Sequence, residues 1–155
     1  MNGMEKSNFT YQIIEDFPNS IEFNQLEKLY TAIFRDAQLD FFKQRFQEKE
    51  NICSIIVFDS KNPIGFKIGY KYNDITFYSW VGGVLPEYRK RGIAKKLVTL
   101  QEQWAKENSF LKLRTKSMNR FKPMMILNLK NGLDIVSVYT NSTNQTKIVF
   151  EKELI

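Results

Sequence analysis

A chain of 155 residues with 43% hydrophobic content and a formal net charge of +6 is long enough for one domain with a real core and short for two. It has no histidine and one cysteine, which removes Ser-His-Asp triads, histidine metal sites, the commonest general base and any internal disulfide. No metal is expected. No apolar run reaches membrane-spanning length and the first eight residues, Met1–Asn8, lack a signal peptide's apolar core, so the expected setting is the cytoplasm.

In chain order, residues 10–14 read as a short strand, and Pro18-Asn19-Ser20 as a turn ending in a helix cap at Ser20. Ile21, Phe23, Leu26, Leu29, Tyr30 and Ile33 recur at helical spacing, which predicts an amphipathic helix over 20–34. A second helix is predicted over 37–49, with Leu39, Phe41, Phe42 and Phe46 as core, and Asp36 and Gln38 fall in a loop that suits a substrate-facing position. The β-branched run after Asn51 predicts a strand over 51–59 that pairs as a hairpin with 64–72, and its Cys53 reads as a small buried hydrophobe. A long strand over 75–84 follows. The main helix, expected over 90–108, puts Ile93, Leu97, Leu100 and Trp104 on one face, and a strand over 111–115 parallel to the preceding one completes a βαβ unit. Pro123 marks a helix start and Asn131-Gly132 a stop, and two last strands over 133–140 and 147–152 flank a polar loop, Asn141–Gln145. The fold class is α/β of the α+β kind: a single domain over 1–155 with one mixed, mostly antiparallel twisted sheet of about seven strands and about four helices.

The stretch from Trp80 to Leu97 carries the chemistry. Gly82 and Gly83 in a strand interior mark a bulge or a close approach of a ligand to bare backbone. A ligand with amides of its own, as pantetheine has, can pair with strand groups left open there. Arg89, Lys90 and Arg91 bring charge to the start of the helix, and at Gly92 and Ala94 the lack of bulk lets a phosphate reach the free N–H groups of its first turn. Neither a Walker pattern nor a full G-x-G-x-x-G is present.

Arg89-Lys90-Arg91-Gly92-Ile93-Ala94 resembles the [RQ]-x-x-G-x-[GA] signature of the GNAT superfamily, the Gcn5-related N-acetyltransferases, with Val84-Leu85-Pro86-Glu87-Tyr88 similar to its lead-in. The resemblance is strongest over about residues 75–135. It implies a GNAT-like fold, acetyl-CoA as co-substrate and an amine acceptor, either a small molecule or a protein. It also implies that Gly82, Gly83 and Val84 meet pantetheine through backbone and that Lys90, Arg91, Gly92, Ile93, Ala94 and Lys95 wrap the pyrophosphate, with Asn119 as a further cofactor contact.

The proposed reaction needs a base for the ammonium and benefits from a proton donor for the departing thiolate, while the Val84 N–H suits an oxyanion donor. By the resemblance, Tyr78 stands where protein-lysine members keep a glutamate base. Asn128 stands where a tyrosine acid is usual, and Leu133 replaces a phenylalanine. Tyr139 is a second candidate for the proton-handling role. A CoA-binding module of the same fold with little turnover is the alternative. A basic nucleic-acid-binding domain is disfavoured, because the cations gather at one helix start without a nucleic-acid motif. The Asn141–Gln145 loop is a candidate for lining the acceptor pocket or for joining two copies as a homodimer.

Overall fold

The computed structural model describes residues 9–155; Met1–Asn8 lies outside them. In order the elements are β1 (Phe9–Glu15), α1 (Ser20–Ile33), α2 (Leu39–Glu48), β2 (Cys53–Asp59), β3 (Asn62–Lys71), β4 (Thr76–Val84), a 3₁₀ turn (Pro86–Tyr88), α3 (Ile93–Glu107), β5 (Lys112–Ser117), α4 (Lys122–Lys130), β6 (Asp134–Thr140) and β7 (Thr146–Glu153). The seven strands form one mixed sheet in the order β1-β2-β3-β4-β5-β7-β6. Strands β4 and β5 are parallel, while β1–β2, β2–β3, β5–β7 and β6–β7 pair antiparallel. No helix among the described residues is long and apolar enough to cross a membrane. The chain divides into two compact units, one made of the chain up to Gly69 with Val81–Gln101, the other of Tyr70–Trp80 with Glu102–Ile155.

In the first unit, α1 starts from a closed capping box. Asn19 Oδ1 accepts from the Glu22 N–H at 2.8 Å and Glu22 Oε1 accepts from the Asn19 N–H at 2.9 Å. The cap is therefore Asn19 rather than Ser20, because only from Asn19 does Glu22 fall at the third helical position. Leu26 and Leu29 of α1 are buried, and Tyr30 stacks on Phe42 of α2 with ring centroids 4.5 Å apart. Of the α2 residues expected in the core, Phe42 and Phe46 are buried, but Leu39 and Phe41 are 38% and 46% exposed. One residue is about 100° of helix, which turns Phe41 off the buried face, where the Arg45 guanidinium lies 4.7 Å from its ring centre. Beneath, Ile55, Ile56, Val57, Phe66 and Ile68 of β2 and β3 are fully buried. Cys53 is fully buried as well, and burial, with the nearby Glu15 charge adding to it, pushes its thiol up to about 12.

The second unit is built on Phe77, whose ring centre lies 5.4 Å from Trp104 and 5.2 Å from Phe110. Its β4–β5 ladder runs from Thr76↔Lys112 to Ser79↔Thr115 and stops there. At that last rung the Thr115 hydroxyl donates to the Ser79 carbonyl at 2.8 Å, while β4 continues to Val84. The ladder thus ends before Gly82. Lys152 Nζ reaches Glu102 at 2.9 Å and the Asn131 carbonyl at 2.8 Å, so one cation ties α3 and β7 to the C-terminal end of α4, where the helix dipole favours it. The 141–145 loop closes on itself: Asn141 Oδ1 accepts from the N–H groups of Thr143 and Gln145 at 3.1 and 2.8 Å.

Candidate functional site

The end of β4 is shaped by close approach. A Cβ on Gly82 would lie 2.9 Å from the Phe66 carbonyl oxygen, and one on Gly83 would lie 2.8 Å from Ile33 Cγ2. Real side chains do not tolerate these distances, so the need for glycine here is already set by β3 and by the end of α1. Val84 is buried, and its carbonyl accepts from Arg89 Nε at 3.1 Å.

The next segment is fastened before it turns. Leu85 N–H donates to the Ile64 carbonyl at 2.9 Å, and the Tyr88 hydroxyl donates to Asp59 Oδ2 at 2.6 Å. That hydrogen bond, reinforced by burial and the Asp59 charge, raises the Tyr88 pKa above the usual phenol value. Arg91 lies with its Cζ 5.2 Å from the Tyr88 ring centre and donates to the Glu87 carbonyl at 3.3 Å. All three cations in this run are exposed, and two of them, Arg89 and Arg91, also hold the turn.

Lys90 and Gly92 both have positive φ, 64° and 79°. For Lys90 this conformation costs about 1 kcal/mol or more, a strain that tends to persist at ligand-binding turns. Here α3 begins at Ile93 rather than at Lys90 as the residue pattern suggests, because a helix cannot run through two left-handed residues. The Gly92 carbonyl accepts the first helical hydrogen bond, from the Lys96 N–H at 3.0 Å, so Gly92 caps the helix with no side chain of its own. A Cβ added at Gly92 would meet nothing within 4 Å. The N–H groups of Ile93, Ala94 and Lys95 occupy the first turn, where the helix supplies no acceptors and the macrodipole favours an anion. Ile93 is buried, whereas Ala94 and Lys95 are exposed.

The remaining sequence candidates stand in the second unit and do not form one cluster. Tyr78 is half-buried with its ring centre 5.3 Å from Tyr70 and 6.3 Å from Tyr72. Asn119 is exposed in the β5–α4 connection, its carbonyl accepting from Lys122 Nζ at 2.7 Å. Asn128, on α4, is 8% exposed and its Nδ2 has no hydrogen-bond partner, an arrangement that ordinarily costs about 1–3 kcal/mol and calls for an explanation. Leu133 is buried. Tyr139 on β6 is 38% exposed, with Lys116 Nζ 5.4 Å from its ring centre.

Three features of the molecule lie beyond sequence reasoning. These are the Tyr88–Asp59 anchor, the left-handed Lys90, and the pairing of Lys116 with Tyr139. None has a local signal: the first and third join parts of the chain far apart in sequence, and a lysine does not announce left-handed backbone.

A family model described as the acetyltransferase (GNAT) family matches residues 21–122. No curated protein sequence matches the chain. Among solved structures, a putative GNAT-family acetyltransferase from Desulfovibrio desulfuricans superposes with a TM-score of 0.78 at 11% identity, covering 94% of this chain and 100% of that one. A GNAT-family acetyltransferase from Elizabethkingia anophelis with acetyl-CoA bound gives 0.76 at 16% identity, covering 96% and 99%. Arabidopsis thaliana NAA60 in complex with a bisubstrate analogue gives 0.71 at 20% identity, covering 93% and 98%. At these identities the structural likeness shows the fold, and the family match over 21–122 adds the class: the chain belongs to the GNAT acetyltransferase family.

Proposed function

We propose that this chain, as one acetyltransferase domain, moves an acetyl group from acetyl-CoA to an amine by direct attack on the thioester. The observation that carries the reading is Gly92: a left-handed residue with open space beyond its Cα, at the head of a helix and next to Lys90 and Arg91. These residues fit a pyrophosphate, since backbone N–H groups, helix dipole and fixed cations all favour negative charge at one place. Lys90 to Lys95 would hold that group, with Arg89 fixing the Val84 carbonyl so that Gly82, Gly83 and Val84 present backbone to the pantetheine arm.

As substrate, acetyl-CoA supplies the thioester. A carbon–nitrogen bond forms between the neutral amine and the acetyl carbonyl, the carbon–sulfur bond breaks, and a second proton leaves the nitrogen to balance the one the thiolate takes up. The ammonium proton must leave first, to a side chain or to water. Tyr78 and Tyr139 are the tyrosines proposed for this role. Asn128 offers an amide where a phenol is usual, and its unpartnered, buried Nδ2 suits a hydrogen bond to sulfur. An amide cannot give up a proton at ordinary pH, so the reaction is expected to be slow but real, rising with pH as the amine deprotonates.

The test is amine-dependent thiol release from acetyl-CoA. Asn128→Tyr is expected to raise the rate and Tyr139→Phe to lower it, within the roughly 10²–10⁴-fold range of general-acid effects. Tight acetyl-CoA binding with no thiol release for any amine would instead favour a binding module of the same fold, which the missing phenol at Asn128 independently suggests.

A further inference from the structure

The second unit holds an uncompensated cationic surface at one end of its sheet. In the antiparallel β6–β7 pair Tyr139 stands opposite Lys147, and in β5–β7 Lys116 stands opposite Val149. Residues directly opposite share a face, as do positions two apart on a strand, so Lys116, Lys147, Val149 and Tyr139 all point to one side. The contacts agree: Lys116 Nζ lies 5.4 Å from the Tyr139 ring centre, and Lys147 Nζ lies 3.6 Å from Met118 Sδ. Neither ammonium has a carboxylate partner among the described residues.

The acids of this unit are all placed elsewhere. Glu151 binds Arg114 at 2.6 Å, Glu102 binds Lys152 at 2.9 Å and Asp74 binds Lys71 at 3.1 Å. Glu107 accepts from Gln103. Asp134 lies opposite Glu151 and Glu153 opposite Lys112, at the other end of the strands. In sequence, residues 108–133 contain six Lys or Arg and no Asp or Glu, and 135–150 contain one Lys and no acid. Two ammoniums that are diagonal neighbours on one sheet face, with no acid near in their unit, repel each other unless an anion comes between them.

We propose that this face binds the carboxylates of an acidic peptide whose amine is the acetyl acceptor. The inference rests on the acetyltransferase reading above and names the class of its acceptor. Charge complementarity selects an anion. The open strand edge selects an extended chain: β6 is the last strand of the sheet and is exposed along its whole length, an edge a peptide can follow, with Tyr139, 38% exposed, on the side of the two lysines. Polycationic amines are disfavoured by the same charges.

The experiment compares two free-amine tetrapeptides that differ only in Glu or Gln at the second and third positions. Wild-type kcat/KM is expected to favour the Glu peptide by about tenfold or more, as charge-assisted contacts do, and the ratio is expected to shrink with added salt. Lys116→Gln with Lys147→Gln brings the ratio near one, Lys→Arg at both keeps it, and KM for acetyl-CoA stays unchanged throughout. A wild-type ratio of one overturns the proposal, as does a ratio that survives the double Gln change. So does acetylation of free glutamate but of neither peptide. If neither peptide is acetylated, the ratio of their affinities, measured by calorimetry in the presence of CoA, decides in the same way. Acetyl-CoA affinity is measured separately: its loss contradicts the acetyltransferase reading, whereas intact affinity without a carboxylate preference contradicts this inference alone.

Discussion

Gly83 and Gly92 stand on the same short stretch of chain and are glycine for different reasons. At Gly83 a side chain would strike Ile33 at 2.8 Å, while at Gly92 it would meet nothing within 4 Å, the backbone there requiring φ of +79°. The first glycine is demanded by packing and the second by conformation next to empty space. A glycine in a functional motif therefore does not show by itself that a ligand fills the room its missing side chain leaves. The neighbours of the added Cβ decide which meaning applies.

The sharpest way to break this comparison is to add the missing methyl groups. Gly82→Ala faces a backbone oxygen at 2.9 Å that cannot swing aside, and overpacking of this kind costs about 1–3 kcal/mol; chemical denaturation is expected to show the loss. Gly83→Ala faces a side-chain methyl, Ile33 Cγ2, so its loss is expected to be partly recovered in the double variant with Ile33→Ala, which removes that methyl. If both glycines tolerate alanine without loss of stability, the packing explanation fails.

A second prediction concerns Cys53. Its folded pKa, about 12, lies above the ordinary thiol value of 9.0 expected of the unfolded chain. Stability from the protonated thiol is thus complete below about pH 9 and lost as pH rises through the window up to about 12. Relative to Cys53→Ala, the wild type is expected to lose up to about 1.4 kcal/mol per pH unit more in that window. Native protein at about pH 8, where the thiol stays protonated, is expected to leave a thiol reagent unreacted until it unfolds. Fast labelling of folded protein would contradict the burial.

Smaller in effect are the cations beside Gly92. Arg91→Ala is expected to weaken acetyl-CoA binding by about tenfold, in line with loss of one charge-assisted phosphate contact, whereas Lys106→Ala, on the far end of α3, is expected to leave it unchanged. Equal effects from both would reduce the role of Arg91 to general charge.

Elements whose signals are local are legible in the sequence. These include the α1 periodicity, the Pro123 helix start, the Asn131-Gly132 stop, the β-branched run around Cys53 and the order of strand, glycines, cations and helix. The parallel β4–β5 pair follows from the βαβ order. Less legible are features set by phase or by partners. Phe41 groups with Phe42 by composition, yet a single residue of helix phase separates an exposed ring from a buried one. The α1 cap is Asn19 because Glu22 three residues on closes the box. The start of α3 is Ile93 because Lys90 takes positive φ, which a lysine does not announce. On the second unit's sheet face, Lys116 and Tyr139 are far apart in sequence and meet through strand pairing, so no motif could place them together.

The central claim, that the turn around Gly92 is built to hold an anionic cofactor tail, is tested most directly by calorimetry of acetyl-CoA with wild type and Gly92→Asp. The substituted carboxylate would stand in the space an anion is proposed to occupy, while Asp is among the side chains that best tolerate left-handed backbone. The expected result is a loss of affinity of about tenfold or more, with far-UV circular dichroism and unfolding midpoint close to wild type. Unchanged acetyl-CoA affinity in a folded Gly92→Asp protein would contradict it.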